Sequence, residues 1–575
     1  MTEQQRVVAA IDFGTHGTGF AWATLSETNR DPARRRVIFF DQWEQQPIAA
    51  AKNRSAVLLD RSDNRFVAWG FRAVQLMDGA PRDTTLALQT GFKMGLQRDR
   101  LAAPAIGGDA GLTLAEGATD PYRLAVLVLR EVFTLARAQI VRGPYVEHDI
   151  RWCVTVPAIW DQYTRDIMYR AAVEAGLPDD RRRLLLVPEP AAAALYCAAK
   201  GDTVLSTPGT RFLVVDAGGG TLDITSYQVG AGGGLTELAL PSGARAGSEY
   251  LNKAFMEEIL VGRLGADFVD RMVHKDRPAI AAMMDSWERA KWAFGPGTTD
   301  PLVIQLSGSL YRELLRDRMA RGATEEELNA LDTEIVIGRD EVARLFDTVV
   351  DRTIAVVDSR LAELRRVSGK RGGEVAVLVG GFAESPYLRA RLGAHLGAHG
   401  ARLLVPEQPS VAVLAGAVHY AYDRSALRNW RSPLTYGVTA AQDFRPGVDP
   451  EHLKLPDADG RLLCNRRFDA FVTSEESVDN GRTVSRVYVP VLADTSVMSL
   501  ELLTCPRPGV QYVDDQDVTV VANLRLDLTS CMHLPRAKRE VEVTMEFGQS
   551  QILAAARNVH TGQVQDTEIA WTPTW

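Results

Sequence analysis

The chain has 575 residues, of which 46% are hydrophobic and 24% charged, and its formal net charge is −8. This length predicts several domains, the composition is ordinary for a globular protein, and the acidic balance gives no reason to expect nucleic acid. The first residues, MTEQQRVVAAID, lack the layout of a secretory signal, and no apolar run reaches the roughly 18 residues of a membrane span.

The five cysteines are scattered and form no CxxC pair, which argues against a zinc site and against a disulfide framework. We therefore expect a soluble, cytoplasmic protein without a membrane partner. The short arginine runs at residues 34–36 and 181–183 are expected to be solvated loops rather than a recognition patch.

Strand-like and helix-like runs alternate from residue 1 to about 425. One example is WCVTVPA (152–158), which is followed by the helical run RDIMYRAAVEAGL (165–177). This alternation predicts an α/β architecture. The polar segment at residues 426–436 is predicted to be a linker.

The pattern changes to a period of two after about residue 437. In VTVVANLRLDL (518–528) the apolar positions include Val520, and REVEVTMEFG (539–548) repeats the alternation. Such alternation is typical of half-buried antiparallel strands. We therefore predict an all-β domain, a β-sandwich, over residues 437–575.

Two glycine-rich segments far apart in the chain share one pattern. AIDFGTHGTGF (10–20) and VVDAGGGTLDI (214–224) each run from a strand through an aspartate and a turn with threonine into a second strand. The two aspartates are Asp12 and Asp216. A duplicated α/β core with one glycine-rich hairpin in each half would produce this repetition.

These hairpins suit a ligand that carries phosphate groups. Glycine leaves backbone N–H groups open to phosphate oxygens, and threonine adds a hydroxyl donor. Aspartates repel phosphate, so they indicate a hydrated Mg²⁺ between carboxylate and ligand. One such hairpin alone could be a plain β-turn, and neither segment is a P-loop or a Rossmann fingerprint.

Four further blocks accompany the hairpins along the chain. They are VTVPAIWDQYTRDIMYRAAVEAGL (154–177), LLLVPEPAAAAL (184–195), SWERAKWAF (286–294) and VAVLVGGFAESPYLRARL (375–392). With the hairpins, they resemble the DnaK-type seventy-kilodalton heat-shock chaperone family, of the actin-like ATPase superfamily, over essentially the whole length. The details FKMGL, VPAIW, WGF and GGFAESP resemble the divergent "member 12" branch of that family.

The resemblance implies a two-lobed actin-like ATPase fold with a duplicated core, followed by the all-β domain. Unlike ordinary family members, this sequence predicts no helical lid after that domain. The nucleotide-binding domain would span residues 1–425. Lobe I would comprise about 1–202 and 403–425, and lobe II about 203–402.

The resemblance also implies ATP or ADP and Mg²⁺ as cofactors. The residues with a catalytic role would be Lys93 at the γ-phosphate, Glu189 beside the attacking water, Asp216 and Asp223. The residues that contact nucleotide would be Asp12, Gly14, Thr15, His16, Gly218, Gly219, Gly220, Thr221, Gly247, Glu288, Lys291, Trp292, Gly380 and Gly381. Asp12 and Asp216 would hold the metal, mostly through water.

Three features depart from the family pattern. His16 and Gly17 replace small hydroxyl and aromatic residues in the first hairpin, and His16 could contact phosphate or only perturb hydrolysis. Trp292 stands where the family has an arginine against adenine, and its indole could stack on the base instead. The linker lacks the run of leucines that docks on the ATPase of ordinary family members when ATP binds.

The sequence favours an ATP-binding, slowly hydrolysing, chaperone-related protein that couples nucleotide state to its C-terminal β module. Its client would be an unknown protein. Two alternatives remain open, because fold alone does not decide function. One is a small-molecule ATP-dependent enzyme with Asp223 or Glu189 as the base, and the other is a nucleotide-gated scaffold with little or no hydrolysis.

Overall fold

A computed structural model describes residues 5–47, 49–81, 84–97, 120–200, 203–369, 373–548 and 552–568. The chain divides into two units. Unit 1 comprises Met1–Ile159, Ile167–Ser226 and Pro241–Arg424, and unit 2 comprises Trp160–Asp166, Tyr227–Leu240 and Ser425–Trp575. The last boundary adjoins the predicted end of the nucleotide-binding domain, and the finer division into lobes stays a prediction.

The strands are named in chain order. They are β1 (Val7–Phe13), β2 (Gly17–Thr24), β3 (Ile38–Phe39), β4 (Asn53–Arg54), β5 (Ala56–Asp60), β6 (Arg65–Trp69), β7 (Leu86–Thr90), β8 (Ile150–Val156), β9 (Leu184–Pro188), β10 (Arg211–Ala217), β11 (Leu222–Val229), β12 (Leu235–Glu237), β13 (Ser242–Ala244), β14 (Leu302–Gln305), β15 (Glu334–Ile337), β16 (Val375–Val379), β17 (Arg402–Leu404), β18 (Leu427–Arg431), β19 (Thr435–Asp443), β20 (Lys454–Pro456), β21 (Leu462–Val472), β22 (Ser477–Asp479), β23 (Arg482–Tyr488), β24 (Val497–Cys505), β25 (Thr519–Asp527), β26 (Val541–Phe547), β27 (Ile552–Asn558) and β28 (Val564–Glu568).

The helices follow the same convention. They are α1 (Gly70–Asp78), α2 (Pro121–Ile140), α3 (Gln162–Glu174), α4 (Glu189–Lys200), α5 (Glu249–Ala254), α6 (Gly262–Leu264), α7 (Ala266–Lys275), α8 (Arg277–Ala293), α9 (Gly308–Ala320), α10 (Glu325–Asn329), α11 (Arg339–Ser368), α12 (Pro386–Ala398) and α13 (Ala412–Tyr422). A π-helical segment, Phe255–Val261, joins α5 to α6. No helix in the described ranges is long and apolar enough to cross a bilayer.

Unit 1 is built around two sheets with the same arrangement. In the first, with order β3-β2-β1-β8-β9, β1 pairs antiparallel with β2 and parallel with β8. In the second, β10 lies between β11 and β16, and it pairs parallel with β16. The two sheets thus share one arrangement, as the repeated pattern of the two glycine-rich segments predicts. A glycine-rich turn follows β1, and another follows β10.

Two buried helices of unit 1 hold the first sheet in place. Helix α4 begins at Glu189, directly after β9, and packs against α13. A Cβ added at Gly416 of α13 would lie 1.7 Å from the carbonyl oxygen of Ala192 in α4. Only glycine permits this approach, and the close packing fixes the start of α4, where Glu189 lies.

In unit 2, the described elements after residue 425 are strands and short 3₁₀ helices. Two sheets, with orders β20-β21-β19-β24-β25 and β23-β26-β27-β28, share one buried apolar cluster. Its members include Leu524, Val541 and Phe547, as the two-residue periodicity predicts. That these strands form a separate all-β domain without a lid stays a prediction.

One position of the predicted alternation is wrong. Val520 was expected on the apolar face of β25, but it is 37% exposed, whereas Val521 is 3% exposed. The register between β24 and β25 shifts here, because Leu502 lies opposite Ala522 and Leu503 opposite Val520. This bulge gives β25 one extra residue and turns Val521 inward.

The predicted linker contains a strand. Strand β18 pairs parallel with β12 and antiparallel with β22, and all three belong to unit 2. Leu427 and Trp430 of β18 are buried. Residues 427–431 are therefore part of a sheet, although their composition is polar.

Candidate functional site

The first glycine hairpin follows β1 in unit 1. The backbone N–H of Gly14 donates to the carbonyl oxygen of Gly17 at 3.2 Å, and the Ser55 hydroxyl donates to the carbonyl oxygen of Gly14 at 2.6 Å. A Cβ at Gly14 would lie 2.4 Å from the Gly17 oxygen, and a Cβ at Gly19 would lie 2.2 Å from the Ala51 oxygen. The tight turn therefore requires glycine at residue 14, and the close approach of the Ala51 backbone to β2 requires it at residue 19.

The second hairpin follows β10 and is supported by the start of α5. The N–H of Gly218 donates to the oxygen of Thr221 at 2.9 Å, and the N–H of Glu249 donates to the oxygen of Gly219 at 2.9 Å. A Cβ at Gly247 would lie 1.9 Å from the Gly219 oxygen. Gly247 therefore lets the segment before α5 pack directly on the hairpin.

The two hairpins face each other. A Cβ at Gly219 would lie 2.8 Å from the Cβ of His16, and a Cβ at Gly220 would lie 3.0 Å from Cγ2 of Thr15. A cavity of about 230 Å³ lies beside them. The sequence-predicted residues that line it are Asp12, Gly14, Thr15, His16, Lys93, Glu189, Asp216, Gly218, Gly219, Gly220, Thr221, Gly380 and Gly381.

Two ion pairs lie in this cavity. Nζ of Lys93 contacts Oε1 of Glu189, the first residue of α4. Nζ of Lys52 lies 2.5 Å from Oδ2 of Asp12, whose Oδ1 accepts a hydrogen bond from Thr155 at 2.8 Å. Both oxygens of Asp12 are thus engaged within the protein.

The pKa of Asp12 reflects this ion pair. Burial alone would raise the pKa of the carboxyl, but Lys52, with smaller contributions from Lys93 and Thr155, holds the pKa below its ordinary value. Burial likewise acts to lower the pKa of Lys52, and the Asp12 carboxylate raises it above the usual range. Both groups are therefore charged at neutral pH.

The other carboxyls of the site are pushed the opposite way. Burial raises the pKa of Asp216 well above its ordinary value, and Glu189 and Asp223 raise it further. Burial, and then the charge of Glu189, raise the pKa of Asp223 to about 7. Burial also raises the pKa of Glu189, against the opposing charge of Lys93. These three carboxyls are therefore harder to ionise than usual, and a bound cation would favour their charged forms.

The other five sequence-predicted residues do not line the cavity. Asp223 is 1% exposed, its Oδ1 has no hydrogen-bond partner among the described residues, and Gly247 supports the second hairpin. Nζ of Lys291 is buried and lies 2.8 Å from Oε2 of Glu288. Trp292 is 39% exposed. Their predicted contacts with nucleotide stay predictions.

Gly380 brings a third turn close to the second hairpin. Its φ is +89°, and a Cβ there would lie 2.4 Å from both the Ala217 oxygen and Oδ1 of Asp216. The position therefore requires glycine for both conformation and space. With Gly381, this turn lets backbone approach the cavity from the side of β16.

His16 connects the first hairpin to a polar network. Its Nδ1 contacts Oε1 of Glu249, and its Nε2 contacts the guanidinium of Arg54. Oε2 of Glu249 accepts a hydrogen bond from Nδ2 of Asn252 at 3.0 Å, and Oδ1 of Asn252 accepts one from Nζ of Lys291 at 3.0 Å. The network therefore runs from the first hairpin to helix α8.

The comparison with protein families decides the family of the chain. The family model described as "Hsp70 protein" matches residues 114–421, which is more than half of the 575 residues. The chain belongs to the Hsp70 family. The mixed α/β fold of unit 1 is accordingly an actin-like ATPase fold, and the chain is an ATP-binding, Hsp70-like protein.

Curated relatives agree with this assignment. Heat shock 70 kDa protein 12A of Homo sapiens is 28% identical, over 98% of this chain and 91% of its own length. Heat shock 70 kDa protein 12B of Homo sapiens is 28% identical, over 97% and 90%. Chaperone protein DnaK of Elusimicrobium minutum is 27% identical, over 51% and 42%. The resemblance to the family and to its "member 12" branch is confirmed.

The site of this Hsp70 chain is compatible with Mg²⁺. In the described residues, no group of three or more His, Cys, Asp or Glu side chains is arranged to hold a metal directly. Mg²⁺ keeps several of its waters and needs only one or two carboxylates. Asp216 is such a carboxylate, because it is buried and no described side chain forms a hydrogen bond or ion pair with it. Asp12 is engaged by Lys52, so its role in metal binding stays a prediction.

Sequence reasoning missed several residues that line the cavity of this Hsp70 chain. They are Lys52, Asn53, Arg54, Phe71, Ser410 and Val413, whereas Gly17, which also lines the cavity, was placed in the first hairpin. The sequence indicates only weakly that Lys52 and Arg54 belong to the site. Two cations stand in the short segment AAAKNRSAVLLD (49–60), where the chain enters the buried strand β5.

Proposed function

We propose that this protein binds ATP with Mg²⁺ in the cavity between the two hairpins and hydrolyses it slowly to ADP and phosphate. The observation that carries the proposal is the pair of facing glycine turns, with two lysines and buried carboxylates beside them. Backbone N–H groups of the turns and the hydroxyls of Thr15 and Thr221 would bind phosphate oxygens. We further propose that the protein is cytoplasmic.

The charged residues would divide the chemistry among them. Lys93 would stabilise charge on the transferring phosphoryl group, since it lines the cavity and is buried. Glu189 also lines the cavity and would orient the attacking water. Bound Mg²⁺ would neutralise phosphate charge, and Asp216 would hold it through water. Asp223, which does not line the cavity, would act through its charge on Asp216.

Slow hydrolysis is supported by the contacts of Glu189. This carboxylate is paired with Lys93, the same group that would have to contact the γ-phosphate. Nucleotide would therefore have to draw Lys93 partly away from Glu189 before both can act. A site that must rearrange in this way populates its reactive geometry for only a fraction of the time.

We also propose that nucleotide state is coupled to the strands of unit 2, which would bind a protein client. Strands at the edges of a sheet can accept an extended peptide by backbone hydrogen bonds. Such coupling is reciprocal. If ATP changes the affinity for a client by some factor, the client must change the affinity for ATP by the same factor.

The proposal is tested by ATP titration and phosphate release on the wild type, Lys93→Ala and Lys275→Ala. Lys275 is the matched control, because it is an exposed lysine of unit 1 that pairs with Glu313 at 2.6 Å. We expect saturable ATP binding in all three proteins and a loss of turnover only in Lys93→Ala. Absence of ATP binding would refute the proposal, and binding without any turnover would favour a nucleotide-gated scaffold.

Product analysis separates hydrolysis from transfer to a small molecule. The wild type is incubated with ATP and a panel of sugars and other hydroxyl acceptors, and all phosphorylated products are measured. Equal amounts of ADP and free phosphate with every acceptor support an ATPase. A phosphorylated acceptor would instead support the small-molecule enzyme.

A further inference from the structure

A second lysine of the cavity, Lys52, has a place that is built for it. It directly precedes β4, which pairs antiparallel with β2 so that Arg54 lies opposite Gly17. A Cβ at Gly17 would lie 3.3 Å from Cβ of Lys52, and a Cβ at Gly19 would lie 3.1 Å from its Cγ. The aliphatic stem of Lys52 therefore runs alongside the first hairpin. Side chains at these two glycines would clash with it.

The ammonium of Lys52 neutralises one side of the cavity. It lies 2.5 Å from Oδ2 of Asp12, and the side chain of Lys52 is 27% exposed. On the other side, no described side chain pairs with the buried Asp216. The two aspartates that end β1 and β10 are equivalent in the repeated fold but differ in charge balance. Asp12 forms an ion pair with Lys52, whereas the charge of Lys52 acts on Asp216 without an ion pair among the described residues.

We propose that Lys52 is a resident cation of the phosphate site, and that it lets the site bind ATP with little dependence on a divalent cation. An ammonium group has three N–H donors, so Lys52 can keep Asp12 and contact a phosphate oxygen at once. Its positive charge then offsets phosphate charge that would otherwise require a bound metal. This inference rests on the proposed binding of ATP in this cavity.

The experiment measures the affinity for ATP with Mg²⁺ and with excess EDTA, by calorimetric titration. The proteins are the wild type, Lys52→Met, which keeps the length of the stem without its charge, and the surface control Lys275→Ala. We expect removal of Mg²⁺ to weaken ATP binding less than about tenfold in the wild type and in the control. In Lys52→Met it should weaken binding by about tenfold more, the usual contribution of a hydrogen bond to a charged group.

Lys52→Met leaves the buried Asp12 without its ion pair and could fail to fold, so the double variant Lys52→Met with Asp12→Asn is measured beside it. It has no unpaired carboxylate at this position, and the same increase in Mg²⁺ dependence is expected. An equal Mg²⁺ dependence in the wild type and in the folded Lys52 variants would overturn the inference. So would a wild type that loses all ATP binding in EDTA. A wild type that fails to bind ATP even with Mg²⁺ refutes the proposed function itself, which is a distinct result.

Discussion

Replacement of Gly247 by alanine tests whether the packing of the second hairpin sets the geometry of the cavity. The added Cβ would lie 1.9 Å from the carbonyl oxygen of Gly219, and an ordinary contact of about 3.4 Å requires about 1.5 Å of movement. Neither partner is a flexible side chain, because both belong to backbone near a buried turn. The hairpin, or the start of α5, must therefore move.

The expected cost follows from this displacement. Overpacking of a buried site lowers the free energy of unfolding by about 1–3 kcal/mol. A shift of about 1 Å in a group that positions substrate reduces turnover by about 100-fold. Gly247→Ala should therefore lose most ATP turnover while it remains largely folded at 25 °C, and its affinity for ATP should fall because hairpin N–H groups are displaced.

The assays are urea unfolding, ATP titration and phosphate release at saturating ATP. Gly262→Ala is the matched control, because Gly262 is helical, with φ −61°, and a Cβ there meets nothing within 4 Å. It should keep wild-type turnover and gain about 0.5–1 kcal/mol from better helix propensity. If Gly247→Ala matches this control in all three assays, the described contact with Gly219 does not position the hairpin.

Three further predictions concern charge and packing. The pKa of Asp223, raised to about 7, means that the folded state keeps a proton which the unfolded chain releases above about pH 4. The free energy of unfolding should thus fall as pH rises from about 4 to 7, and Asp223→Asn should flatten that slope in a pH series of urea unfolding; an unchanged slope would contradict the assignment. Burial disfavours the charged form of Glu249, but His16 lowers the pKa of this carboxyl to about 2. His16→Gln should therefore raise the pKa of Glu249 in an NMR titration. An unchanged pKa would show that His16 is not the cause. Val521→Ala should destabilise unit 2 by about 1–2 kcal/mol more than Val520→Ala, and equal losses would argue against the bulge.

The glycine hairpins could be predicted from the sequence because their signals are local. A strand, an aspartate, a turn that needs glycine and a threonine all occur within eleven residues in 10–20 and again in 214–224. Lys93 and Glu189 lie 96 positions apart, so their placement in one site depended on the family resemblance rather than on spacing, and their ion pair was not predicted. Lys52 was missed because β4 has only two residues and shows no periodicity.

Other errors arise where long-range contacts override local composition. Arg35 belongs to an arginine run predicted to be solvated, yet it is 3% exposed. Its guanidinium contacts Nδ1 of His419 at 2.7 Å and stacks over the ring of Tyr422 at 3.6 Å, and neither partner is near it in sequence. Arg183, in the second run, is also buried and donates to the carbonyl oxygen of Glu147. Charge runs alone do not reveal such partners.

The central claim is that the two hairpins form a site for the phosphate chain of a nucleotide. Calorimetric titration of the wild type with ATP and with adenosine, both in Mg²⁺, tests it most directly. Because several charge-assisted hydrogen bonds go only to the phosphates, we expect ATP to bind at least about 100-fold more tightly than adenosine. Equal affinities, or no saturable binding of ATP, would contradict the claim.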